Sequence, residues 1–79
     1  MNTIRLPNTP ENRYLKEVFD HLLANHRDSQ FGYDDIPGPD RGTKSSILVV
    51  MKSYGLRDSV AMGRFALTNE AKNSQIVLG

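Results

Sequence analysis

The stretch RGTKSSILVVMKSYGL, from Arg41 to Leu56, most limits what this chain can fold into, because it reads as one helix with two unlike faces and a marked end. Residues three and four apart share a helix face, so Ile47, Leu48, Met51 and Tyr54 make an apolar stripe with Val50 at its margin. That stripe requires a core. The other positions, Lys44, Ser45, Ser46, Val49, Lys52 and Ser53, include no acid, and Arg41 stands just ahead of them. Such a face suits an anionic partner, although the solvated side of an ordinary core helix has the same pattern. Gly55 follows, free to take the left-handed conformation that closes a helix.

The core that covers the stripe has to be small. A chain of 79 residues makes one domain, and at this size folding buries only about 60 % of the surface exposed by the unfolded chain. With no cysteine there is neither a disulfide framework nor a thiolate zinc site to support it. The formal net charge of +1 gives no strong global field, so affinity for nucleic acid would rest on local clustering of bases. No apolar run approaches the ~20 residues of a membrane span, and the opening Met-Asn-Thr-Ile-Arg-Leu-Pro is unlike a secretory signal. A cytoplasmic protein with no membrane partner is the default expectation.

Taken in order, residues 1–8 show no helical period and read as a flexible, extended arm in which Ile4, Arg5 and Leu6 are available to a partner subunit or a DNA minor groove. Thr9-Pro10-Glu11 is a helix start: a capping hydroxyl, a proline fitted to the first turn and an acid at the positive end of the dipole. The helix is expected from Pro10 to about Asn25, with Leu15, Val18, Phe19, Leu22 and Leu23 facing the core and Tyr14 and His26 extending that side. Arg13 with Glu17 and Lys16 with Asp20 are spaced as ion pairs on its outer face. Phe31-Gly32-Tyr33 suggests a single short strand, and Tyr33 to Ile36 one helical turn stopped by Pro37. Asp40 is placed to cap the next helix. Beyond Gly55 the period changes: Ser59 to Met62 and Arg64 to Leu67 suggest a hairpin turning at Met62-Gly63-Arg64. Thr68 to Ala71 can start a last helical turn. The tail, residues 72–79, ends in Ile76-Val77-Leu78, which suits an added strand, a cover for the first helix or a subunit contact.

Signs of catalysis or metal binding are weak. His21 and His26 are five residues apart, off the spacing of four that aims two imidazoles at one ion. Asp34, Asp35 and Asp40 lack the alternation of a calcium loop. Gly-Thr-Lys before a helix lacks the Gly-Lys-Ser/Thr ending of a phosphate loop, and no serine, histidine and acid set has a nucleophile signature. The expectation is a protein without cofactor that is not an enzyme.

An apolar-x-x-apolar helix ending at Gly55-Leu56 and followed by a short hairpin resembles the third helix and wing of a winged helix-turn-helix domain. That resemblance implies a compact α+β fold, mostly helical, over residues 9–71: a long first helix, a second helix, a recognition helix and a two-stranded β wing. The span from Ile36 to Leu48 is about three residues short of a standard second helix and turn, so the second helix is expected to be vestigial. The implied function is that of the small transcriptional regulators of bacteria and their phages. Lys44, Ser45, Ser46, Val49 and Lys52 would face the major groove of double-stranded DNA, with bases on phosphates, serines on phosphates or base edges and Val49 on a thymine methyl. Arg41 at the helix start, with Arg57 and Arg64 on the wing, would fix the register. A homodimer on a palindrome would supply affinity. The alternative is a protein-binding winged module, such as a phage-encoded inhibitor of a host complex, which near-neutral charge, a vestigial second helix and the Asp-rich turn favour.

Overall fold

In the computed structural model, which describes residues 1–79, helix α1 spans Pro10–Asn25. It starts where its chemistry dictates: the Thr9 hydroxyl accepts from the Asn12 N–H at 3.2 Å, with Pro10 in the first turn. Leu15, Val18, Phe19 and Leu22 are fully buried along one side. The Asp40 carboxylate caps helix α2, Arg41–Ser53, by accepting from the Thr43 N–H at 2.7 Å. That bond from the Thr43 backbone, reinforced by its side chain, holds the Asp40 carboxyl below the usual carboxylate range. Ile47, Leu48 and Met51 bring the apolar stripe of α2 onto α1. Between the helices there is only the 3-10 turn Tyr33–Asp35, fixed by the Gly32 N–H donating to Asp35 Oδ2 at 2.9 Å.

The turn that leads into α2 is locked to α1. Tyr14 Oη donates to the Pro37 carbonyl at 2.7 Å, and burial, then the charges of Glu17 and Asp40, push its pKa up. Gly38 lies so close that a Cβ there would overlap the Tyr14 hydroxyl and approach Lys44 Cγ to 3.1 Å. Gly38→Ala is expected to cost about 1–2 kcal/mol, by displacing that hydroxyl from its carbonyl. In a urea-melting double-mutant cycle, the same substitution should cost clearly less in a Tyr14→Phe background; equal costs in both would place the strain elsewhere.

Gly55, at φ +74°, ends α2, and the Leu56 N–H returns to the Met51 carbonyl at 2.9 Å. Strands β2, Arg57–Ala61, and β3, Arg64–Leu67, then form an antiparallel hairpin through Met62 and Gly63, the latter at φ +71°. Phe31 adds a third position: its backbone exchanges two hydrogen bonds of 2.8 Å with Phe65. Thr68 closes the hairpin, donating its hydroxyl to the Gly55 carbonyl at 2.7 Å and accepting from the Ala71 N–H at 3.0 Å to cap the one-turn helix α3, Asn69–Lys72. The chain finishes as β4, Ser74–Leu78, parallel to β1, Asn2–Leu6, with Ile4 beside Ile76 and Leu6 beside Leu78. Phe31, Ile36, Leu56, Phe65, Leu67 and Ile76 complete the core from outside the two long helices.

The architecture is therefore α+β, with three helices, one of them a single turn, and two separate two-stranded sheets. The N-terminal end departs from the expected layout. Residues 1–8 are not a loose arm, and of the roles open to residues 72–79 the structure takes the added strand, because each end supplies one strand of the same ribbon. Tyr54 leaves the apolar stripe and is 40 % exposed, since α2 stops at Ser53 and the Gly55 turn redirects the chain. The first hairpin strand begins at Arg57, not Ser59, and its register slips at Val60, leaving Val60 and the turn residue Met62 exposed. Lys16 pairs with Asp20 at 2.6 Å, whereas Arg13 turns from Glu17 to the Asn8 side chain at 2.9 Å.

Candidate nucleic-acid interface

At 100° per residue, Ile47, Leu48 and Met51 fix the inward side of α2, and the opposite side holds Ser46, Val49 and Ser53. Val49 is 62 % exposed, although its β-branched side chain would be at home in a core. Arg41, Ser45 and Lys52 occupy the flank nearest the hairpin, where Arg57 reaches the backbone of α2. The other flank is apolar: Val50 and Ile47, with Pro10, Tyr14 and Pro39, border a groove of about 380 Å³.

Arg41 is the first residue of α2, where the helix dipole disfavours a cation, and an aromatic ring offsets that. Its guanidinium lies 4.4 Å from the Tyr33 ring centre. Tyr33 meets Phe65 edge-on at 5.5 Å, and Phe65 carries the Arg57 guanidinium at 4.9 Å. A cation, two aromatic rings and a second cation thus connect the start of α2 to the hairpin. Arg64, exposed on β3, has an Nη1 that would lie 3.8 Å from a Cβ on Gly32.

Seven of the eight residues expected at the interface, Arg41, Lys44, Ser45, Ser46, Val49, Lys52 and Arg64, keep solvent-accessible surface on α2 or the hairpin. Arg57 does not fit the expected role, and Lys44 is turned another way. Arg57 is only 7 % exposed; its Nε donates to the Leu48 carbonyl and its Nη1 to Ser59 Oγ, both at 2.8 Å. It joins hairpin to helix and is not presented to a ligand. Lys44 falls on the inward side of the helix axis, and its stem crosses Gly38 instead of sharing the outward face. The role of Tyr33 escaped the sequence reading, because its contact with Arg41 is made across the Pro37-Gly38-Pro39 turn and has no fixed spacing.

The ion pairs of the molecule lie elsewhere. Lys16 bonds Asp20, Lys72 bonds Asp28 at 3.1 Å, and His26 Nε2 stands 3.8 Å from Asp35 Oδ1. Arg41, Lys52 and Arg64 take no carboxylate partner, while Asp34 and Asp58 remain exposed on the neighbouring turn and strand. No helix is long and apolar enough to cross a membrane. Fold and surface together define a small α+β protein in which Arg41 and Lys52 on α2 and Arg64 on the hairpin stand without a carboxylate partner. No protein-family model, curated protein or solved structure matches the chain.

Proposed function

We propose that this chain is a DNA-binding protein of winged helix-turn-helix type, a small transcriptional regulator that reads sequence with α2 in the major groove and steadies it with the hairpin on the backbone. The observation that carries the reading is the acid-free outward side of α2, with Arg41 and Lys52 unpaired along one flank and Arg64 unpaired on the hairpin. On this reading the three cations hold phosphates, and Ser45, Ser46 and Val49 meet base edges. Arg57 sets the angle between helix and wing from inside the protein.

Fluorescence anisotropy with random duplex and with duplex from upstream of the gene tests it, using wild type and an Arg41/Lys52/Arg64→Ala variant across a salt series. Wild type should bind with a steep salt dependence. The variant should lose roughly fiftyfold in affinity at low salt, and its log-log salt slope should shrink by about 2.7, one released counterion per lost phosphate contact. Preference for the upstream fragment identifies a regulator. Absence of binding to both duplexes at low salt sinks the proposal. Exposed Val49, Val60 and Met62 favour a second reading, in which the same surface docks on a protein. Under that reading Val49→Asp and Met62→Asp abolish partner binding, and the triple alanine variant does little.

A further inference from the structure

A two-stranded parallel ribbon is an unusual thing to leave alone, because parallel strands pair less strongly than antiparallel ones and are normally flanked on both sides. In this protein β1 has one neighbour, β4, and no other. The direction of its backbone groups follows from the two ends of the ladder. The Asn2 N–H donates to the Asn73 carbonyl at 2.7 Å, and the Leu6 carbonyl accepts from the Gly79 N–H at 3.1 Å. Alternation along a strand then points the N–H and C=O of Asn2, Ile4 and Leu6 at β4, and those of Thr3 and Arg5 away from it. On β4 the outward-directed residues include Ser74 and Ile76, both buried, so that edge is covered. The β1 edge is open: Thr3 and Arg5 are exposed.

From this edge we infer that β1 pairs antiparallel with β1 of a second copy, about a two-fold axis at Ile4, to make one continuous sheet β4-β1-β1-β4. The edge is complementary to itself. Centred on Ile4, the register sets Thr3 opposite Arg5 of the second copy, and these are the residues whose N–H and C=O are unused. Each Thr3–Arg5 pair exchanges both backbone hydrogen bonds, and Ile4 meets its own copy in the wide, non-hydrogen-bonded position. Charge agrees with the register, since Arg5 faces a neutral threonine and not another Arg5. The half-buried undersides of Ile4 and Leu6 become one apolar strip across the axis. The inference does not depend on DNA binding.

One short strand on each side makes a small contact, so the dimer should appear in sedimentation velocity between micromolar and millimolar protein. Arg5→Pro removes an outward N–H and leaves the bonds to β4 in place; it should weaken association at least about tenfold, since two symmetry-related hydrogen bonds are lost. Thr3→Glu, set against Arg5 of the second copy, should tighten association, and Thr3→Lys should loosen it, in a salt-dependent way. The cysteine-free chain allows a direct test of register. Ile4→Cys should cross-link under mild oxidation, because non-hydrogen-bonded partners stand about 4.5 Å apart at Cα, within disulfide reach. Asn2→Cys should not, as the two copies of residue 2 would be more than about 10 Å apart. A wild type that stays monomeric to millimolar concentration, a dimer indifferent to Arg5→Pro and Thr3→Lys, or cross-linking of Asn2→Cys as fast as Ile4→Cys would each overturn the inference.

Discussion

Arg57→Ala is expected to lower folding stability by about 3 kcal/mol, because it removes charge-assisted hydrogen bonds and a stacked guanidinium from a nearly closed site. In a domain of this size that is a fall of roughly 15 °C in the melting midpoint, read by circular dichroism. Nε on the Leu48 carbonyl, Nη1 on Ser59 and the delocalised charge 4.9 Å from the Phe65 ring centre use three separate features of guanidinium. Lysine offers a single flexible ammonium, so Arg57→Lys should lose most of the same stability despite keeping the charge. DNA binding separates this role from a phosphate contact. At a temperature where both proteins are folded, a structural Arg57 leaves the salt slope of binding unchanged in Arg57→Ala, whereas a phosphate-gripping Arg57 would lower that slope by about 0.9 and leave the stability nearly intact.

Arg57 also marks the limit of what the chain discloses before folding. Its sequence neighbours, Leu56 and Asp58, mark it as an ordinary base at the start of a wing strand. Its burial is decided by the Leu48 carbonyl, nine residues back, and by a ring eight residues ahead. Elements with local causes were legible: Thr9 and Asp40 cap their helices, Gly55 and Gly63 take positive φ, and the three-and-four spacing in both long helices gives the buried stripe. The single helical turn at Tyr33–Asp35 was legible too, from the acids at its start and Pro37 behind it. The turn of Lys44 toward Gly38 was not legible, because a flexible stem at the first turn of a helix can lie over the preceding loop. Least legible was the ribbon of β1 and β4. Its strands lie at opposite ends of the chain, each has only five residues, and no turn joins them. Ile4 with Leu6, and Ile76 with Leu78, alternate too briefly to announce strands until the two pairs are set side by side.

That ribbon also yields the sharpest contrast between neighbouring residues. Ile4→Pro should cost about 2–3 kcal/mol, by deleting an N–H that points at β4 and withdrawing a side chain packed against the core. Arg5→Pro, one residue along, should cost under about 1 kcal/mol in dilute solution, because its N–H faces outward and an extended backbone is close to what proline accepts. Urea melts of the two variants beside wild type decide the matter without reference to any ligand. Similar small losses in both would return residues 1–8 to a frayed arm. A larger loss for Arg5→Pro would mean that the strand is paired one residue out of register, with Thr3 and Arg5 bonded to β4. The predicted order holds only if Ile4 sits beside Ile76, and it is that register which leaves Thr3 and Arg5 with backbone groups to offer a second chain.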